Sequence, residues 1–200
     1  MKIVITGGPS GGKTTLIEAL RKDFHGELAV VPEAASILYR GGFPRKVTLR
    51  GRMHAQRAIC FVQTELENLV ADESEVELIV CDRGSLDSVA YWPDTAENFF
   101  RDMQTSREKE LARYAWVIHL DTADHDAFDT SNPVRTESFS EALELNQKIK
   151  KAWEGHPNRI VIGHNNDFLT KISEAKNVIG WIRQGLDRTE IETRRRSQKN

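Results

Sequence analysis

Eight residues near the N-terminus, Gly7-Gly8-Pro9-Ser10-Gly11-Gly12-Lys13-Thr14, have the types and spacing to hold phosphate, G-x-x-x-x-G-K-[ST]. Glycines let the backbone curl with its N–H groups inward, where a Cβ would clash. A helix predicted over 14–24 adds the partial positive charge of its N-terminus. Lys13 is a point charge for β- and γ-phosphates, and the Thr14 hydroxyl is a hard oxygen ligand for Mg²⁺. Gly8, Pro9, Ser10, Gly11, Gly12, Lys13, Thr14 and Thr15 are therefore the candidate residues for a bound nucleotide such as ATP.

Further groups belong around that phosphate. The run Leu78-Ile79-Val80-Cys81-Asp82-Arg83-Gly84 ends an apolar strand in an acid and a base. The carboxyl ends of such strands are where open α/β sheets bind ligands. There Asp82 can hold magnesium and Arg83 the transferring phosphoryl group, unless the pair is a turn with a local ion pair. Val30-Val31-Pro32-Glu33 places a carboxylate at the end of the preceding strand. Glu33 can take the proton of an attacking hydroxyl, position a sugar hydroxyl or the metal, or be a helix first-turn Glu favoured by Pro32. Arg135, in Asn132-Pro133-Val134-Arg135, is the cation expected of a lid closing over a phosphoryl group. Asn165, after the last strand, can read a base, and a helix cap nearby accounts for the same segment equally well. The acids Asp121, Asp124, Asp126 and Asp129 do not have EF-hand spacing and read as a solvated loop. Tyr91 and Trp92 can stack a base or belong to the core.

These residues need elements to position them. Short β-branched runs at 2–6, 28–31, 76–81, 116–120 and 159–162 predict five strands, apolar throughout as in a parallel sheet covered on both faces. Between them, apolar residues recur with helical period: Leu16, Leu20, Phe24; Ile59, Val62, Leu66, Leu69; Leu145, Ile149, Trp153; Phe168, Ile172, Ala175, Ile179, Ile182. The alternation predicts an α/β fold of the P-loop NTPase kind: a doubly wound five-stranded parallel sheet with helices on both faces. Two segments interrupt it. Residues 40–52, with three glycines and several basic residues, read as a loop between helices. Residues 121–141, polar and long, read as the lid insertion. One domain is expected over 1–186, followed by a basic, flexible tail at 187–200.

Composition narrows the partners. Among 200 residues, 28 Lys+Arg face 30 Asp+Glu, so no broad basic face marks nucleic acid as the main partner. No apolar stretch is long enough to span a membrane, and the first residues read as a strand, not a signal peptide. Two cysteines, Cys60 and Cys81, can build neither a disulfide framework nor a zinc site alone, which predicts a reducing, cytoplasmic setting.

Over residues 1–182 the segments GGPSGGKT, VPEAA, VCDRGSLD, NPVRTES and RIVIG resemble a P-loop AAA-type family associated with NAD metabolism. That family includes ribosylnicotinamide kinase domains and a branch of GTP- and lipid-binding trafficking proteins. The chain is also similar to deoxynucleoside kinases, in which a Glu closing strand two acts as base towards a sugar hydroxyl and an acidic–Arg–Ser motif follows strand three. Glu33 fits the first position. Asp82-Arg83 fits the second, with Gly84 where that pattern has Ser. The resemblance implies a Mg-ATP-dependent kinase acting on a nucleoside-like small molecule. The trafficking branch implies the alternative, a regulatory protein hydrolysing ATP or GTP slowly and acting through a protein or lipid partner. No Asn-Lys-x-Asp is present, and Asp82-Arg83-Gly84-Ser85 is not a GTPase Asp-x-x-Gly, which argues against an ordinary GTPase.

Overall fold

A computed structural model describes residues 1–122, 138–163 and 167–198. Five strands, β1 (Lys2–Thr6), β2 (Leu28–Val31), β3 (Leu78–Asp82), β4 (Trp116–Leu120) and β5 (Arg159–Ile162), form one sheet in the order β2-β3-β1-β4-β5. Every pairing is parallel, so both faces must be covered by the helices that return the chain. Central β1 shows the consequence. Ile3 and Ile5 point to one face, packing with Leu16, Leu20, Ile172 and Ile179. Val4 points to the other, with Val117, Ile149 and Trp153.

The first face is covered by α1 (Lys13–Asp23), α8 (Phe168–Arg183) and α9 (Arg188–Ser197). The second carries α3 (Leu49–Glu73), α4 (Asp87–Tyr91) and α7 (Phe139–Ala152). The shorter α2 (Ala34–Arg40), α5 (Ala96–Asp102) and α6 (Arg107–Leu111) complete the connections. Several starts are fixed by caps: Thr48 accepts from the Gly51 N–H, and Ser138 and Glu141 form a capping box at α7.

Three expectations change. Strand β3 starts at Leu78 and includes Asp82, so the carboxylate is part of the ladder, opposite Ile5. The buried side of α3 is not the Ile59–Leu69 stripe. Leu69 is exposed, and Gln56, Cys60, Gln63 and Glu67 face inward instead: Cys60 packs with Trp92 and Phe99, while Gln63 and Glu67 find hydrogen-bond partners there. The segment at 187–200, expected as a solvated tail, is helix α9 over most of its length. A capping box of Asp187 and Glu190 starts it. Ile191 is fully buried in the first core, and Arg195 pairs with Glu174 and donates to the Val161 carbonyl. No described helix is long and apolar enough to cross a membrane.

Candidate functional site

The sheet order reverses around β1, and the glycine loop leaves its carboxyl end at that point. The loop lies hard against the end of β4. A Cβ on Gly7, whose φ is +128°, would stand 2.0 Å from the Leu120 carbonyl oxygen, and one on Gly8 2.2 Å from Thr122 Oγ1. Lys13 Nζ donates back to the carbonyls of Gly7 (3.0 Å) and Gly8 (2.8 Å), which holds the ammonium over the loop. Burial and the neighbouring Arg83 push its pKa down to about 7, although Asp82 and Glu33 oppose the change. The Gly8 N–H donates to Asn146 Oδ1 (2.9 Å), so Gly8 serves the loop by the space it leaves and not as an inward amide.

A cavity of about 710 Å³ opens beside the loop. Pro9 to Thr15, Glu33, Asp82 and Arg83 all line it, together with Gln63, Asp87 and Tyr91. Folding thus brings most of the expected site residues to one cavity, and leaves Gly8 off its lining. Arg135, most of the expected lid and Asn165 lie outside the described residues. The expected aromatic pair divides. Tyr91 lines the cavity with its ring 5.6 Å from the Arg83 guanidinium, while Trp92 packs edge-on to Phe99 in the core. Of the 40–52 segment, Arg40 and Arg45 reach the cavity, Arg45 lying 4.0 Å over the Tyr39 ring.

Arg83 stands between two carboxylates. Its Nε donates to Glu33 Oε1 at 2.6 Å, and Nη1 to Asp87 Oδ2 at 3.1 Å. Arg83 and the Ser36 hydroxyl pull the Glu33 carboxyl down to about 2 against the effect of burial. Asp87 is itself held by the Thr6 hydroxyl and the Trp153 indole N–H, each at 2.6 Å. Sequence reasoning missed Asp87, which lies four residues beyond Arg83 at the start of α4 and is brought to it by the turn after β3.

Asp82 differs from both. Burial, with Glu33 next, raises its pKa to about 6, and no described residue donates a hydrogen bond to it. Asp82 and Thr14 line the same cavity, and a carboxylate and a hydroxyl are the hard oxygen donors that fit Mg²⁺ beside a phosphate. The Gly-rich loop and the Lys13 ammonium likewise fit a polyphosphate. Behind the loop, Asn146 also bonds His119 Nε2 and Asp121 Oδ1, both at 2.9 Å, and Asp121 pairs with Lys150. Asn146 carried no sequence signal, because it lies within an amphipathic helix far along the chain.

A five-stranded parallel sheet of this order, with a glycine loop after its central strand and helices on both faces, is a P-loop fold. A family model described as an AAA domain matches residues 2–170, and the chain belongs to that family. No curated protein matches it in sequence. Among solved structures it is similar to a deoxyadenosine kinase from M. mycoides with bound dATP, at TM-score 0.64 and 17% identity over 90% of this chain and 100% of that one. It is also similar to a thymidylate kinase from Candida albicans, at TM-score 0.60 and 13% identity over 91% and 92%. Identities this low carry the fold only.

Proposed function

We propose that the protein is a small-molecule kinase that moves the γ-phosphoryl group of Mg-ATP to a hydroxyl of a nucleoside-like acceptor. The observation that carries this reading is the Glu33–Arg83 pair, which lines the same cavity as Lys13. An NTPase needs only to place a water. A carboxylate and a guanidinium at the ends of adjacent strands, facing a cavity of ligand size, suit a second substrate. The kinase folds it resembles support the same reading.

Bound Mg-ATP supplies the electrophilic phosphorus and a divalent counter-charge. Thr14 and Asp82 hold the metal, and the amides of residues 10–15 with Lys13 hold the phosphates. Glu33, ionised across the neutral range, accepts a hydrogen bond from the acceptor hydroxyl and aims it. A carboxylate this acidic is a weak base, which suffices because a loose phosphoryl-transfer transition state asks for little early deprotonation. Arg83 offsets charge building on the transferring oxygens. Arg135 adds to that and Asn165 meets the base, as the sequence leads one to expect. The buried thiols Cys60 and Cys81 suit a reducing cytoplasm.

The test is ADP release from the purified protein with Mg-ATP, alone and across a panel of nucleosides that includes nicotinamide riboside. One acceptor should stimulate release strongly and leave as a phosphorylated product. A slow basal rate unmoved by every acceptor would replace this reading with regulatory nucleotide binding through a protein or lipid partner. Glu33→Gln should lower turnover about a hundredfold with Mg-ATP affinity within about twofold of wild type. Equal turnover would remove Glu33 from the chemistry.

A further inference from the structure

The ladder between β2 and β3 ends at Val31 opposite Cys81, short of the two residues whose side chains form the Glu33–Arg83 pair. Gln63, in the middle of α3 and almost completely buried, bridges the strands beyond that point. Its Oε1 accepts from the Ala34 N–H at 3.4 Å, next to Glu33. Its Nε2 donates to the Arg83 carbonyl at 3.3 Å and to Glu67 Oε1 at 3.2 Å. Both amide protons are therefore engaged within the protein, so this cavity-wall residue is not equipped to read a ligand.

Glu67 anchors the bridge from below. It is fully buried and accepts from Lys2 Nζ (3.1 Å), Arg113 Nη2 (2.8 Å) and the Tyr114 hydroxyl (2.7 Å). The Tyr114 oxygen in turn accepts from the Ser85 N–H at 2.8 Å. Burial raises the pKa of Tyr114 well above the ordinary phenol value, which keeps it a donor to Glu67. The turn after β3 is thus gripped at Arg83 and at Ser85. It needs the grip: Arg83 has φ +69°, a left-handed conformation that persists in a non-glycine residue only where its surroundings fix it. The Arg83 N–H donates to the Ile5 carbonyl at 3.0 Å, and Gln63 takes the carbonyl on the other side.

We infer that Gln63 is a positioning residue, which fixes Glu33 against Arg83 by tying the ends of β2 and β3 together on a buried Glu67–Tyr114 support. Its role in phosphoryl transfer rests on the kinase reading above, whereas its role in the geometry does not.

Two measurements on the full chain separate these. In the first, hydrogen exchange of the Arg83 Nε–H is followed by ¹H–¹⁵N NMR in wild type, Gln63→Met and Glu33→Gln. An Nε–H held at 2.6 Å from a carboxylate exchanges slowly. Gln63→Met should speed it by about tenfold or more, towards the Glu33→Gln rate. Unchanged exchange would overturn the inference. The second measures transfer to the acceptor that the panel identifies. Gln63→Met should lower kcat about tenfold, leave Mg-ATP affinity within about twofold, and cause no further loss when added to Glu33→Gln. Equal losses in both backgrounds would overturn the positioning role. If no acceptor stimulates the wild type, the kinase reading fails and the exchange measurement still decides the geometry. If Gln63→Met loses its cooperative unfolding transition, Gln63→Asn replaces it in both measurements.

Discussion

Arg83, Glu33, Asp82 and Lys13 line one cavity, and burial acts on each with a different result. Glu33 gains a guanidinium and is held strongly acidic, while burial and the neighbouring Glu33 charge raise Asp82 to about 6. Lys13 falls to about 7. A carboxylate with a raised pKa and an ammonium with a lowered one in the same cavity suit a ligand that brings both cation and anion. His119 shows the same physics away from the cavity. It is fully buried at the end of β4, and burial outweighs its bonds to Asp121 and Asn146, so its pKa is lowered. The unfolded chain protonates this ring near the ordinary value of about 6.5. A folded pKa below that value means His119 contributes stability present above about pH 6.5 and lost as pH falls through the folded value. Ring-nitrogen shifts measured by NMR between pH 5 and 8 should place its midpoint below 6.5. A midpoint above 6.5 would reverse the sign of its contribution.

At the scale of elements, the phosphate loop is held in shape by what lies beneath it. Gly7 and Gly8 allow contact with the end of β4, and Asn146 of α7 fixes the Gly8 amide. The same Asn146 meets His119 and, through Asp121, Lys150. Helix α7 thereby supports the loop through one side chain. Asn146→Ala would leave the Gly8 N–H and the His119 ring without that acceptor, at a cost of about 2–4 kcal/mol in urea unfolding. Mg-ATP affinity should fall in the same variant, since the loop loses its lateral tie. A variant with full stability and full affinity would show that the loop holds its shape alone.

The whole molecule is a sheet between two helical layers, and its chain end belongs to one of them. Arg194 and Arg196 give α9 a tail-like composition, yet Ile191 completes the first core and Arg195 is almost enclosed beside Glu174. Ile191→Ala should cost about 2–4 kcal/mol in thermal or urea unfolding. A frayed tail would predict a change of less than about 0.5 kcal/mol. The glycine loop, the five strands and the candidates Glu33, Asp82 and Arg83 are legible in the amino-acid order alone. Those signals are local: steric freedom, continuous apolar runs, and charges placed at strand ends. Which groups meet depends on how the chain folds back on itself. Gly8 and Asn146 are 138 residues apart, Arg83 and Glu33 50 apart, and nothing local in either partner announces the other. The inward polar face of α3 and the docking of α9 have the same origin. Hydrophobic period weighs apolar area alone, and buried amides and arginines are retained where distant backbone and side-chain partners satisfy them.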